Sequence, residues 1–412
     1  MIDLKAARVH PDIVREAVAR KGGGEIFDRL MQTDEEWRRL QTQVDELRAR
    51  TKLKGKPTPE QLEELTQLKG ELKALENDLD RVKSEMQEHW DRVPNPPDAS
   101  VPDGWEEDDA VEIKRWGEAR DFGFDPLDHL DLAAKLGWID TERAARLSGT
   151  RFVYRVGDFA LMELSLYRFA LDRLVQKGFV PVLPPVLVRE QAMYGTGFLP
   201  TEEVNIYRVE RDDLYLTGTS EVSLAGLHMD EILAPDDLPR RYAGYSTCFR
   251  REAGAAGKDT RGMFRVHQFD KVEMFSYVLP ENSADEHEHL LAIEEELVQE
   301  LGIPYRVVNV AAGDLGLAAA KKYDIEAWFP SQQRYREITS TSNTTDFQAR
   351  RLGIRYRPAQ GGPQELHTLN GTAVTARSLI AILENFQDED GSVALPPVLE
   401  RYGAPSRVGA SG

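Results

Sequence analysis

The chain has 412 residues, 41% of them hydrophobic and 30% charged, enough to bury at least one large core and to form two domains. A net charge of −19 excludes indiscriminate nucleic-acid binding, so any RNA contact must use local basic patches, with shape doing the selecting. The single cysteine, Cys248, excludes an internal disulfide or a cysteine-rich zinc site; the apolar run 179–188 is short and broken by Pro181, Pro184 and Pro185, so a cytoplasmic protein without membrane spans is expected.

Residues 3–20 suggest a short helical opening, followed by the flexible Gly22, Gly23 and Gly24. Beyond it, Leu30, Trp37, Leu40, Val44 and Leu47 fall at heptad-like intervals, and Leu65, Leu68, Leu72, Leu75, Leu79, Val82 and Met86 alternate threes and fours. Two helices sharing one apolar seam, with a turn at 55–59, predict an antiparallel hairpin roughly 40 Å long at about 1.5 Å rise per residue. Near its tip Arg48, Arg50, Lys52, Lys54 and Lys56 crowd together with no acid among them, enough for several phosphates. Taken alone, the hairpin reads as a solvated coiled coil used for association. Prolines 94, 96 and 97 end this arm, and the acidic linker through Asp109 divides residues 1–105 from 106–412.

In the body, 149–154 suggests the start of a strand, and 160–177 an amphipathic helix ended by Gly178. The proline-rich 178–187 suits an edge strand. Next, 214–221 runs from a strand into a turn of small residues, with Thr219, Ser220 and Glu221 at a loop; Thr-x-Glu alone is a common helix cap.

Residues 242–249 and 263–277 are aromatic and β-branched, and the segment between them is small, flexible and polar, which predicts two strands joined by a long loop. Pleat alternation puts Arg250 and Glu252 on one face, and likewise Arg265, His267, Phe269, Lys271 and Glu273 if no bulge intervenes. Guanidinium forks pair with phosphate, a ring stacks on a flat heterocycle, and carboxylates take an amine or a metal. An ordinary cross-strand ion pair with Phe269 in the core is the plainer account of any one of these residues. Two look-alikes are set aside. The segment 254–259 echoes a P-loop but has Asp259 where Ser or Thr is required. His287 and His289, two apart on a helix, point to different faces, and a metal pair is not expected there.

Further on, 336–343 supplies Glu337 and Ser340 on one side of an irregular strand, with oxygen ligands of the kind that suit magnesium held by triphosphate and one carboxylate. Residues 367–377 run into an apolar helix at 378–385, with Arg377 at the strand-to-helix junction, where a cation and amide donors favour phosphate or stack on adenine.

The pattern Phe249-Arg250-x-Glu252, loop, Arg265-x-x-x-Phe269-x-x-x-Glu273 resembles the second signature motif of class II aminoacyl-tRNA synthetases. Residues 251–254, 259–262 and 267–273 narrow the resemblance to seryl-tRNA synthetases, and it covers nearly the whole chain. Segment 178–187, with Pro185, resembles the first motif, the family's dimer interface. Residues 367–377 resemble the third, with Ala376 where an acid or glycine is usual. The resemblance implies an α+β fold: an antiparallel β-sheet catalytic domain with flanking helices, plus the N-terminal antiparallel helical hairpin, which in the family grips tRNA.

The implied activity is activation of L-serine by ATP with Mg2+ and transfer of serine to tRNA-Ser, with tRNA-Sec a further possible acceptor. By the same resemblance, Arg250, Arg265 and Arg377 are catalytic, and Arg250, Arg251, Glu252, Arg265, Val266, Phe269, Glu337, Ile338, Thr339, Ser340 and Arg377 contact ATP, with Glu337 and Ser340 also holding the metal. Serine falls to Thr219, Ser220, Glu221, Arg250, Glu273, Asn370 and Thr372, and tRNA to Arg48, Arg50, Lys52, Lys54 and Lys56. Two alternatives differ in function. One is a synthetase-like ligase with another acceptor, disfavoured by the intact arm; the other is a non-catalytic tRNA-binding paralogue, disfavoured by the retained Arg250, Glu252, Arg265, Glu273, Glu337 and Arg377.

Overall fold

A computed structural model describes residues 1–52, 58–253 and 262–409, which form two compact units, Met1–Pro97 and Asp98–Gly412. The basic-tip residues Lys54 and Lys56, and the look-alike segment 254–259, lie outside the described residues.

The smaller unit opens with two helices where one was expected, α1 (Leu4–Val9) and α2 (Pro11–Ala19). The break follows from Pro11, which cannot donate a backbone hydrogen bond and pushes His10 out of the helical region, to φ −131 and ψ 60. The hairpin consists of α3 (Gly24–Arg50) and α4 (Pro59–Arg92), so Gly24 starts a helix instead of belonging to a linker. Thr58 and Gln61 close a reciprocal capping box at the start of α4, satisfying two backbone donors that would otherwise be unpaired. Along the seam Leu40 and Val44 pack on Leu79 and Val82. Nearer the base Phe27, Leu30, Met86 and Val93 join Ile2, Leu4, Ala7 and Val18 in one cluster.

The larger unit takes in residues 98–105, which the sequence assigned to the arm: the Asp98 amide donates to the Ala320 carbonyl at 2.8 Å. Its centre is an eight-stranded sheet, numbered here in chain order as β1 (Val111–Trp116), β2 (Val180–Val182), β3 (Arg240–Phe249), β4 (Gln268–Val278), β5 (Tyr305–Asn309), β6 (Lys321–Phe329), β7 (Arg334–Thr345) and β8 (His367–Thr375). In space the order is β1-β5-β6-β7-β8-β4-β3-β2. Every pairing is antiparallel except that of the edge strand β2 with β3. Helices α5 (Asp158–Gln176), α7 (Ser283–Glu300) and α9 (Ala376–Asn385) contribute Phe159, Leu166, Leu290, Leu297, Leu379 and Leu383 to the main core. Two shorter helices, α6 (Glu221–Ala225) and α8 (Phe347–Leu352), pack on a second cluster around Phe275 and Tyr277.

Three expected strand boundaries move. Residues 149–153 are not strand, because Gly149 and Arg151 have left-handed backbones (φ 96 and 63), and only Tyr154–Arg155 pairs. The strand expected from Met263 starts at Gln268. Arg250 and Glu252 follow β3 without extending it, since Glu252 is also left-handed (φ 52). At the free edge, Val180 and Leu183 are 55% and 80% exposed, and Leu161 and Leu164 on α5 are exposed too.

Leu30 is fully buried in the base of the smaller unit. Leu30→Ala is expected to cost about 2–5 kcal/mol, read as a lower denaturation midpoint by circular dichroism.

Candidate active site

The hairpin β3–β4 places the cleft's chemistry. Its unbroken register sets Phe269 opposite Cys248, Lys271 opposite Ser246 and Glu273 opposite Gly244, so the three alternate residues Phe269, Lys271 and Glu273 share one face. Past the end of β3 the backbone still closes locally: the Arg250 amide donates to the His267 carbonyl at 3.0 Å. The cleft beside this hairpin has a cavity volume of about 110 Å³, and Arg250, Glu252, Arg265, Val266, Phe269, Glu337, Ile338, Ser340, Thr372 and Arg377 all line it. Cys248 is buried, and burial pushes its thiol up in pKa, so it offers no nucleophile.

Two bulges adjust the floor. Between β6 and β7 the register passes over Ile338, since Ile325 faces Thr339 while Glu326 faces Glu337. Residues three apart on a regular strand point to opposite faces; the extra residue brings Glu337 and Ser340 to the same cleft and accounts for the irregular strand expected there. Thr339 turns the other way, its hydroxyl donating to Glu294 on α7 at 3.1 Å. Between β4 and β8 the register passes over Ala373, which sets Thr372 opposite Glu273, and the Thr372 hydroxyl donates to Glu273 Oε2 at 3.2 Å.

The guanidinium groups are already engaged. Arg265 pairs with Glu252 at 2.6 Å. Arg377 pairs with Glu337 at 3.0 Å and lies 4.5 Å from the centre of the Phe264 ring. Arg250 lies 5.2 Å from the Phe269 ring and donates from Nε to the Gly218 carbonyl at 3.1 Å. Thr375 caps α9 by accepting the Arg377 amide at 3.1 Å, which pins the arginine at the helix start. Arg251 instead lies 6.0 Å from the Tyr207 ring, away from this lining.

A polar cluster adjoins the cleft through Lys271 and Thr372. Thr219, Ser220 and Glu273 are at most 2% exposed. Lys271 bridges Thr219 and Glu273, 2.8 Å from Thr219 Oγ1 and 2.5 Å from Glu273 Oε2. Burial first, and then the neighbouring Glu273, push the Glu221 carboxyl up to about 7, against hydrogen bonds from Gln348 and Asn370 and the charge of Lys271. The Asn370 side-chain oxygen has no hydrogen-bond partner among the described residues and is an acceptor in waiting. Glu337 goes the other way: burial opposes its charge, but Arg377 and Lys322 outweigh burial and hold it at about 2. A cleft with three guanidinium groups, an ionised carboxylate and an adjoining acidic pocket can hold a polyphosphate beside a small cation.

Sequence reasoning gave Phe264, Arg336, Gln348 and Lys271 no role. Arg336 lies 4.0 Å from the Phe264 ring, on which Arg377 also rests. Gln348 reaches Glu221 from α8 at 2.7 Å, a contact that no local pattern signals. Lys271 was visible, since it sits two residues from both Phe269 and Glu273. His287 is a core residue, with Nε2 3.1 Å from the Thr341 carbonyl and its ring stacked on Tyr323.

Residues 206–386, which contain every cleft residue named above, match the core domain model of class II tRNA synthetases (G, H, P, S and T), and residues 1–97 match the seryl-tRNA synthetase N-terminal domain. The serine--tRNA ligase of Thermobifida fusca is 49% identical over 98% of this chain and 97% of its own. The chain belongs to the seryl-tRNA synthetase family. A second family member, the serine--tRNA ligase of Streptomyces coelicolor, is 50% identical over 98% of this chain and 97% of its own. The crystal structure of seryl-tRNA synthetase from Pyrococcus horikoshii complexed with ATP superposes with a TM-score of 0.93 at 43% identity, covering 99% of each chain. The described fold is therefore the seryl-tRNA synthetase fold across both units.

Because the folded value of Glu337 lies below the ordinary 4.5, this carboxylate adds stability that is present above about 4.5 and is lost as the pH falls towards about 2. In Arg377→Met the Glu337 carboxyl carbon is expected to titrate at higher pH, by about one unit or more, in a carbon-detected NMR titration.

Proposed function

We propose that this chain is a serine–tRNA ligase: it activates L-serine with ATP to seryl-adenylate and transfers the seryl group to tRNA-Ser, and to tRNA-Sec in cells that have one. The reading rests above all on one arrangement. Arg250, Arg265 and Arg377 line a cleft that adjoins two acids, the half-buried Glu221 and the buried Glu273. A triphosphate and an amino acid need those two environments side by side.

In this reading Phe269 and Arg377 take adenine between them, and Glu252 receives its amine. Glu252 is paired with Arg265 in the free chain, so ATP entry exchanges that pair for contacts from Arg265 to the terminal phosphates. Val266, Ile338 and the backbone of Thr339 complete the wall, and Arg251 lies at the outer edge. Arg250 neutralises the α-phosphate and orients the serine carboxylate. Glu221 and Glu273 hold the ammonium, with Thr219, Ser220, Asn370 and Thr372 around the side-chain hydroxyl.

The serine carboxylate oxygen then attacks the α-phosphorus and pyrophosphate leaves; no protein nucleophile is required, because alignment and charge stabilisation lower the barrier. The terminal ribose hydroxyl of tRNA next attacks the seryl carbonyl, and AMP leaves. The residues fit Mg2+: Glu337, held at about 2, is ionised at neutral pH, and Ser340 adds a hydroxyl on the same cleft, both hard oxygen donors. Bound there with ATP, the ion would neutralise phosphate charge.

The arm is read as the tRNA-gripping element. Arg50 and Lys52 are exposed near its tip, and Arg48 is held 2.8 Å from Glu76 across the hairpin; Lys54 and Lys56 belong to the same basic run. The exposed apolar residues of β2 and α5 support a homodimer through the first motif. Among the described residues no helix is long and apolar enough to cross a membrane, and a cytoplasmic location is proposed.

Serine-dependent ATP–pyrophosphate exchange, followed by charging of total tRNA, tests the reading. Arg250→Ala is expected to slow exchange about 10²- to 10³-fold with an unchanged circular dichroism spectrum; exchange at the parent rate would remove Arg250 from the mechanism. Reversing the charges of Arg50 and Lys52 together should leave exchange intact and raise the KM for tRNA about tenfold or more at low salt. Unaltered charging would refute the arm's role.

A further inference from the structure

We infer that Lys271 is a positioning residue that sets the polarity of the amino-acid pocket, and through it the selection of a hydroxyl-bearing substrate. The inference deepens the reading of this cleft as a serine-activating site and rests on it.

A hydroxyl oxygen accepts through two lone pairs and has one proton to donate. Thr219 Oγ1 accepts from Lys271 Nζ at 2.8 Å and from the Glu221 amide at 3.2 Å. Both lone pairs are used, so Thr219 faces a ligand only as a donor. On Glu273 the contacts from Lys271 (2.5 Å) and Thr372 (3.2 Å) both fall on Oε2. Oε1 takes neither, and it faces a ligand only as an acceptor. One buried ammonium thereby makes one neighbour a donor and the other an acceptor.

The charge balance points the same way. The groups coupled to this pair are Glu221 at the start of α6, Cys248 on β3 and Glu294 beneath the sheet on α7. Burial holds the Glu294 carboxyl and the Cys248 thiol in their neutral forms. Glu221 and Glu273 are then two carboxylates with one lysine acting on both, which leaves the cluster one positive charge short when both are ionised. A zwitterion's ammonium makes up that deficit. Without the lysine, two carboxylates in one buried pocket share a proton. A carboxyl pair that shares a proton donates as well as accepts, and the distinction between a hydroxyl and a methyl side chain weakens, because that distinction depends on a buried acceptor left unpaired by the wrong substrate.

The test uses the full-length protein in ATP–pyrophosphate exchange with serine and with alanine, across pH 6–9. Lys271→Met is expected to raise the serine KM about 30-fold or more and to lower the serine-to-alanine ratio of kcat/KM about tenfold, while the KM for ATP changes by less than about twofold. In the parent, kcat/KM for serine should rise with pH through about 7 as Glu221 loses its proton; in Lys271→Met that limb should move up by about one unit or more. Lys271→Arg, which keeps the charge, should recover part of the serine KM. Lys271→Gln, which keeps a donor without the charge, should show the shifted limb and serves if the methionine variant does not fold. A serine KM and a serine-to-alanine ratio unchanged in the variants would overturn the inference, as would equal losses for serine and ATP with an unshifted pH limb. Absence of serine-dependent exchange in the parent would instead overturn the reading of the site, and this inference with it.

Discussion

The position of β4 between β3 and β8 is the constraint from which the cleft follows. A strand paired on both sides cannot slip by one residue without sending its alternate side chains to the opposite face. Ten consecutive pairs with β3, from Gln268 with Phe249 to Tyr277 with Arg240, hold that register. Phe269, Lys271 and Glu273 therefore sit in a row, running from the arginine-lined cleft into the acidic cluster beside it. On the other side, β8 gives way by one residue at Ala373, and that local concession sets Thr372 opposite Glu273. The bulge opposite β6 does the same for Glu337 and Ser340. Regular pairing carries the ring and the ion pair, and irregular pairing aims the oxygen donors.

Burial then sorts carboxylates that look alike in a sequence. Glu221 and Glu337 both lie near cations, yet one is pushed up to about 7 and the other held at about 2. The difference is the company each keeps. Glu221 has another carboxylate nearby, and its partners are largely neutral amides; Glu337 lies 3.0 Å from a guanidinium, with Lys322 also acting on it. The first is suited to receive a cation from a ligand, and the second to stay charged whatever binds. Glu294, fully buried beneath the same sheet, completes the series as a carboxyl that burial keeps neutral.

The smaller unit solves a different problem. A chain with a net charge of −19 repels polyanions as a whole, and attraction has to be local and short-ranged, since salt screens exposed charges beyond about 10 Å. A long two-helix hairpin concentrates basic residues at one end, with its apolar seam enclosed between the helices. Arg48 shows the compromise: it belongs to the basic run and is also bridged to Glu76 on the opposite helix.

Much of this was legible in the residues themselves. The seam of α3 and α4 is a periodicity, and periodicity is local. The Arg250-x-Glu252 and Arg265-x-x-x-Phe269-x-x-x-Glu273 spacing carried the family, and an irregular strand with Glu337 and Ser340 on one side was expected. What the sequence could not supply was anything set by a partner distant along the chain or by an unusual backbone angle. The strand limits around Arg151 and Glu252 depend on left-handed backbones; the contact of Gln348 with Glu221 spans 127 residues; the shared Phe264 ring brings Arg336 and Arg377 together from two elements. The sequence by itself determined which chemical groups the protein owns and which of them alternate along one strand. Only the tertiary structure decided which carboxylate is neutral, which arginine is already paired and which hydroxyl is left as a donor, because those depend on burial and on neighbours that chain order does not specify.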